Sequence, residues 1–280
     1  MLKYIKIDIK ITNNSLNLPK FIGSMIRGGF GVALKDTVCI YHKRKCDECF
    51  ATSSCLYFDF YEKVNSFHEY RFEFEIEPKE FDFSIYLYGD STKHTPYVLA
   101  SLLKLCSDVG FGVNRIKEDI KQIFVNGNLV YENGKFGEMN YHILETEFNN
   151  YEENIKNVKI KLNSPIRIKQ NNYLQKKDLD FLSVLTSIYH RYLELLKKPK
   201  ERLNYEPKFE IIDKKLEFVD FQRYSNRKKT KMTLGGFMGE IILSEIDKTS
   251  YELLKIGEIL GVGKSSVFGL GSIKITKGCS

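Results

Sequence analysis

Four cysteines fall within seventeen residues in "CIYHKRKCDECFATSSC": Cys39, Cys46, Cys49 and Cys55, in the spacing C-x6-C-x2-C-x5-C. The two residues between Cys46 and Cys49 make a knuckle short enough for both thiolates to reach one ion. Four thiolates with no open position suit structural zinc. Soft sulfur ligands also suit an iron–sulfur cluster, and spacing does not decide between the two, or against free thiols. His42, inside the same stretch, is an alternative ligand to one of the cysteines. Cys106 sits in an apolar helical run and reads as a core thiol, and Cys279, near the C-terminus, has no assigned role.

His42 has a second reading. Imidazole titrates near neutrality, and Tyr41, Lys43, Arg44 and Lys45 flank it, a setting for proton transfer beside an anionic substrate. A solvated basic loop is the plain alternative. His190, with Tyr189 and Tyr192 on a long helical run, reads as a packing residue, and nothing marks His68, His94 or His142.

A third cluster is cationic. Arg223, Arg227, Lys228, Lys229 and Lys231 put five cations into nine residues with no acid among them. Alternate members of an extended segment share a face and can follow a phosphate backbone. Downstream, "GVGKSSVFGLG" (261–271) sets Gly261, Gly263, Gly269 and Gly271 around Lys264. GKS is the tail of a nucleotide phosphate loop, but that motif needs a glycine five residues before the GK glycine, and position 258 is glutamate. The flanks are also reversed: a helical period over 247–260 precedes the loop and an alternating stretch over 268–276 follows it, whereas phosphate loops run from strand to helix. No nucleotide cofactor is expected. The glycines are expected to let backbone amides approach a nucleic-acid backbone, with Lys264 adding charge. On that reading Gly263→Asp folds, given a negative φ at Gly263, and loses binding. The plain alternative is a solvated hairpin beside a structural turn.

These clusters need a scaffold. The chain has 280 residues, 42% of them hydrophobic and 13% aromatic, enough for two cored domains. Its net charge of +7 is modest, so the distribution of cations matters more than the sum. No apolar run is long enough to span a membrane. The N-terminus "MLKYIKIDIK" alternates like a strand and lacks the form of a signal peptide. The expectation is a cytoplasmic protein with no membrane partner.

The periodicities give the same order twice. Strand 2–11, a helix over 18–38 opened by Pro19, a hairpin over 69–89, a helix over 95–110 and a short glycine loop, "VGFGVNR" (109–115), form the first unit. Strand 157–169, helix 176–198, extended runs 208–225 and 228–246, helix 249–260, the longer glycine loop and a last strand form the second. This is an α+β chain of two tandem ferredoxin-like β-α-β-β-α-β domains. The first covers 1–148 with a cysteine-rich insertion at about 39–62, and the second covers 156–280, with the hydrophilic stretch 145–157 as linker.

A duplicated ferredoxin-like fold with a glycine-rich loop after its last helix resembles the RAMP (RRM-like) proteins of CRISPR systems. "RYSNRKKTKMTLGGFMGEI" (223–241) and "LGVGKSSVFGLGSIKI" (260–275) are similar to the C-terminal domain of the CRISPR repeat-RNA processing endoribonucleases. "GSMIRGGFGVALKDTVCIYHKRKCDECFATSSCLYFDFYE" (23–62) resembles the N-terminal region of a cysteine-bearing branch. The resemblance implies an enzyme that cuts precursor transcript within each repeat, without a metal, and retains the product. Its partners would be CRISPR repeat RNA and other effector-complex subunits. Such cleavage needs a base for the attacking 2′-hydroxyl, an acid for the leaving 5′-oxygen and cations for the phosphorane. His42 is the catalytic candidate, because related enzymes often carry a histidine in this neighbourhood. The five residues of the basic run, the four loop glycines and Lys264 are the RNA-binding candidates, with Arg27 of "MIRGGFG" facing RNA or solvent from the first helix. Two other readings stand beside this one: a RAMP subunit that binds guide RNA without cutting, and an unrelated zinc-stabilised RNA-binding protein. GxG loops in both halves argue against the latter.

Overall fold

Ile5, Ile7, Ile9 and Ile11 alternate with more exposed side chains along the first strand and are buried, which fixes one face of the strand to a core. The computed structural model describes residues 1–12, 17–41, 45–64, 66–170, 173–225 and 230–278. The chain divides into two units, Lys3–Glu145, and Thr146–Ser280 together with Met1–Leu2.

The first unit contains β1 (Leu2–Ile11), α1 (Gly23–Val38), β2 (Tyr70–Glu73), β3 (Phe81–Tyr88), α2 (Thr95–Lys104), β4 (Ile120–Val125), β5 (Asn128–Glu132) and β6 (Lys135–Phe136), and β7 (Leu144–Thr146) follows at its boundary. Its sheet runs β2-β3-β1-β4-β5-β6, with β7 also pairing β1. The order β4-β1-β3-β2, antiparallel throughout, is the ferredoxin-like sheet, extended by a hairpin that periodicity does not reveal. Phe30 of α1 meets Phe72 of β2 edge to face at 5.5 Å, both fully buried; alanine at either would cost about 3–5 kcal/mol. Helix α1 starts at Gly23, later than Pro19 suggests. The Lys20 carbonyl accepts the Glu77 amide at 2.9 Å and the Lys20 ammonium pairs with the Glu77 carboxylate at 2.7 Å, holding that segment out of the helix.

The second unit contains β8 (Asn154–Ile166), β9 (Lys169–Gln170), β10 (Tyr173–Leu174), α3 (Phe181–Leu195), β11 (Phe209–Val219), β12 (Gln222–Ser225), β13 (Thr230–Thr233), β14 (Gly236–Asp247), α4 (Lys248–Leu260) and β15 (Ile273–Lys277). Its main sheet runs β11-β14-β8-β15, the same order once more, while β12 and β13 form their own two-stranded hairpin. Asp180 caps α3 by accepting the Leu182 and Ser183 amides, so the helix begins after it and not at Lys176. At the other end Lys197 is left-handed and the Lys198 amide returns to the Leu193 carbonyl, which stops the helix before Pro199. Asp247 caps α4 in the same way through Ser250, and Gly261, at φ 73°, ends it.

The run 208–225 is not continuous, because the chain breaks between β11 and β12, and the run 228–246 breaks between β13 and β14. The last strand starts at Ile273, and part of the stretch before it is a 3-10 turn, Ser266–Phe268.

Candidate functional site

The segment 261–271 leaves the C-terminus of α4 with four glycines in the left half of φ space: Gly261 at 73°, Gly263 at 75°, Gly269 at 80° and Gly271 at 83°. Ser265 joins them at 70°. All four glycines are buried, whereas Lys264 is exposed. A Cβ at Gly263 would lie 2.5 Å from the Arg167 carbonyl oxygen, and one at Gly271 would overlap the Val262 carbonyl. The glycines are there because the loop folds tightly against its own domain.

Their amides point inward too. Gly261 N–H donates to the Gly257 carbonyl, Gly263 N–H to Ser187 Oγ at 3.0 Å, Gly269 N–H to the Ser266 carbonyl, and Gly271 N–H to the Pro165 carbonyl. The expectation that these four amides meet a nucleic-acid backbone is therefore corrected, and so is the negative φ expected at Gly263. What the loop presents outward is Lys264 and the turn beside it.

Sequence reasoning missed what holds the loop. Arg191 of α3 is 3% exposed. Its guanidinium donates to the carbonyls of Leu260 at 2.9 Å and Gly261 at 2.7 Å, and to that of Gly263. The C-terminal carbonyls of a helix are partly negative and partly unsatisfied, so a buried cation there both neutralises the helix end and fixes the first turn of the loop. Ser164 adds a second tie: its hydroxyl donates to the Gly269 carbonyl at 2.8 Å and accepts the Ser272 amide at 2.9 Å. Position 191 falls on the apolar stripe with Val184, Leu185, Ile188 and Leu195. A cation on that stripe was the available signal.

Of the basic run, Lys231 lies on β13 and is exposed. Arg227, Lys228 and Lys229 lie outside the described residues, as does the side chain of Arg223. On the backbone Arg223 pairs with Met232, and Lys231 pairs with Tyr224. The two cations thus occupy alternate register positions and not one shared row. The main sheet of this unit offers a groove of about 570 Å³, bordered by Lys161, Lys215, Glu217, Met238 and Glu240. Lys159 pairs with Glu240 at 2.8 Å and Lys215 with Asp213 at 2.9 Å. This groove carries balanced charge and no aromatic ring of the kind on which RNA-binding sheets stack bases.

In the first unit the segment between α1 and β2 lies along the helix. Tyr57 and Tyr61 stack at 5.3 Å, with Lys35 over Tyr57 and the Arg27 guanidinium 4.6 Å over Tyr61. Tyr61 Oη donates to the Arg27 carbonyl at 2.7 Å. Arg27 also acts electrostatically on the buried Tyr70 hydroxyl, so it is half-buried against this aromatic cluster and does not stand free on the helix surface. His42 lies outside the described residues. Cys39, Cys46, Cys49 and Cys55 are half-buried free thiols. Single 3-10 turns at Cys46–Glu48 and Thr52–Ser54 close on the Cys49 and Cys55 amides. Burial raises the Cys46 thiol pKa, with Glu62, Cys55 and Cys39 adding to the rise and Lys35 opposing it. Cys46 is therefore within electrostatic reach of two of the others. Among the described residues no group of three or more His, Cys, Asp or Glu side chains is set to hold an ion. The four thiol donors suit zinc in kind. Cys106 is buried in the helical turn Leu105–Val109 that follows α2, and burial pushes its thiol up to about 12, as a core cysteine requires.

Residues 2–144, more than half of the 280-residue chain, match the AF_1859_N family model, described as an N-terminal domain. Residues 160–273 match the model for CRISPR-associated endoribonuclease Cas6. An uncharacterized protein of Archaeoglobus fulgidus is 27% identical over 283 residues, covering 92% of this chain and 93% of its own. Among solved structures, a product complex of Thermus thermophilus Cas6 aligns with a TM-score of 0.56 at 14% identity, over 99% of this chain and 100% of that one. A Cas6-related protein from Pyrococcus furiosus aligns at 0.52 and 12% identity, over 99% of each chain. The likenesses to solved structures bear on the fold, and they match the two sheets described above. The chain belongs to the family of proteins that carry an AF_1859_N domain, here over residues 2–144, and its residues 160–273 are a domain matching the CRISPR-associated endoribonuclease Cas6.

Proposed function

We propose that this protein matures CRISPR RNA by cutting the precursor transcript within its repeats. The observation that carries this reading is the Cas6 match over 160–273, which takes in both the basic hairpin and the glycine loop. In the reaction the 2′-hydroxyl attacks the adjacent phosphate and the 5′-oxygen leaves, with no metal in the chemical step. His42 transfers a proton. Arg223, Arg227, Lys228, Lys229, Lys231 and Lys264 contact phosphates, which fix the register of the RNA without reading its bases, and the product stays bound. The protein works in the cytoplasm and uses no nucleotide cofactor. Cys39, Cys46, Cys49 and Cys55 hold a structural zinc, whose four thiolates leave no position for water or substrate.

The test is single-turnover incubation of the protein with its cognate repeat RNA in EDTA. Expected products are one cut per repeat, a 5′-hydroxyl end and a 2′,3′-cyclic phosphate, with His42→Ala slower by about 10²-fold or more. Binding without any cut would move the protein to the non-catalytic RAMP subunits that coat guide RNA. For the zinc, purified protein should carry one equivalent. Removing Cys46 and Cys49 together should abolish that content and lower the melting temperature. Metal-free protein with unchanged stability overturns the assignment.

A further inference from the structure

We propose that His68, at the entry to β2, is a second catalytic histidine of this protein and takes the proton from the attacking 2′-hydroxyl. The proposal rests on the endoribonuclease reading above. His68 Nδ1 lies 2.8 Å from the Asp59 backbone carbonyl. A carbonyl only accepts, so Nδ1 carries the proton in the neutral ring, and the lone pair is on Nε2. Among the described residues Nε2 has no hydrogen-bond partner. The ring is half-buried against Tyr70, 6.0 Å between centroids, so its orientation is set before any substrate arrives. An oriented imidazole with an unoccupied basic nitrogen is what a general base requires.

Its surroundings suit a phosphodiester. Arg27 of α1 and Lys63 both act on the ring electrostatically, and the carboxylate of Asp59 partly balances them. Tyr61 and Tyr70, with their hydroxyls close to Arg27, complete the groups packed around it. Both tyrosines are held protonated well past neutrality by burial, so they carry no charge here, and the Tyr61 proton is committed to the Arg27 carbonyl. Two residues upstream, the Ser66 hydroxyl is buried with no hydrogen-bond partner among the described residues. This constellation contains an acceptor for one proton, two cations for the phosphorane and, in Ser66 and Tyr70, two buried hydroxyls without a hydrogen-bond partner among the described residues.

In the step proposed, Nε2 takes the 2′-hydroxyl proton as O2′ bonds to phosphorus. The bond from phosphorus to O5′ breaks, O5′ leaves with the bonding pair, and it takes the proton whose transfer the reading above assigns to His42. The products are a cyclic phosphate and a free 5′-hydroxyl, with no change of oxidation state. Burial, with Arg27 and Lys63 behind it, holds the imidazole pKa below its ordinary value, though the Asp59 carbonyl opposes this. The neutral form therefore persists to lower pH than for a free histidine, and the rate should fall only on the acid side of neutrality.

The experiment is a single-turnover pH–rate profile with repeat RNA for wild type, His68→Asn and His68→Ala, with affinity measured in parallel. Asparagine can restore a donor to the Asp59 carbonyl but offers no base. His68→Asn should bind RNA within about threefold of wild type, cut about 10²–10⁴-fold more slowly and lose the acid limb. His68→Ala should cut no faster. If His68→Asn cuts like wild type while His68→Ala does not, the residue is a structural tether and the proposal is overturned. It is overturned equally if both variants keep rate and acid limb. Wild type that binds repeat RNA and never cuts it would instead sink the endoribonuclease reading, and this inference with it.

Discussion

Two loops occupy the same place in the two ferredoxin-like units, after the second helix and before the last strand, and they are built on different principles. In the first, Gly110 turns left-handed at φ 70° and the amides and carbonyls of Phe111 and Ile116 close a narrow bridge. Phe111 is buried, residues 112–115 are exposed, and Val113 is 99% exposed. Its backbone bonds stay local, from Gly110 to Leu105 and between Phe111 and Ile116, and it is anchored by the Phe111 ring, edge to face on Phe81 of β3 at 4.7 Å. In the second, every glycine is buried and its ties go to other elements: to α3 through Ser187 and Arg191, and to the end of β8 through Ser164, Pro165 and Arg167. The contrast teaches that a GxG signature reports tight backbone, and that what the backbone is tight against is set by partners elsewhere in the chain.

The contrast can be broken at its strongest point first. Arg191→Met removes the donors from three buried carbonyls and should destabilise the second unit by about 3–5 kcal/mol, measured by chemical denaturation. Arg115→Ala in the exposed loop should cost under about 0.5 kcal/mol. Equal, small effects would show that the second loop is not held as described. The glycines give an intermediate effect. Gly271→Ala puts a methyl group onto the Val262 carbonyl at φ 83° and should cost about 3 kcal/mol or more. Gly112→Ala, at φ 71°, would meet only the Met25 sulfur at 3.8 Å and should cost about 1–2 kcal/mol. Gly263→Asp belongs with Gly271: it should fail to fold stably, so lost RNA binding by that variant would say nothing about contact. The smallest effect is the one that concerns RNA. Lys264→Ala should melt like wild type, bind repeat RNA about three- to tenfold more weakly and lower the salt slope by about one unit. Unchanged affinity, or an equal loss in Arg115→Ala, would remove the distinction between the loops.

The fold was legible because its signals are local. The isoleucine alternation of β1 and the helical period of α4 each follow from neighbours in sequence, whereas the Asp180 cap moved the start of α3 past the Lys176 that the sequence suggested. The hairpin β5–β6 was missed because its strands are short and mostly exposed, which leaves no period to find. The site was less legible. A glycine is silent about its partner, so the loop at 261–271 read as open toward a ligand when it is closed onto Arg167 and Val262. Arg191 was hidden because its acceptors lie about 70 residues downstream. His68 was passed over for a similar reason: what orients it is a carbonyl in the cysteine-bearing segment, which no spacing announces.

Gly31 sits in the middle of α1, where a Cβ would lie 2.6 Å from the Tyr61 ring. The missing side chain is a socket and the tyrosine is its peg. Because the same ring holds the Arg27 carbonyl and stacks on Tyr57, the cysteine-bearing segment is keyed to the helix at one register, with no slack for sliding along it. A single methyl group at position 31 would act as a wedge between two layers that otherwise share no strand. The push would carry through to the sheet, because the Tyr61 ring stacks on Tyr70 of β2.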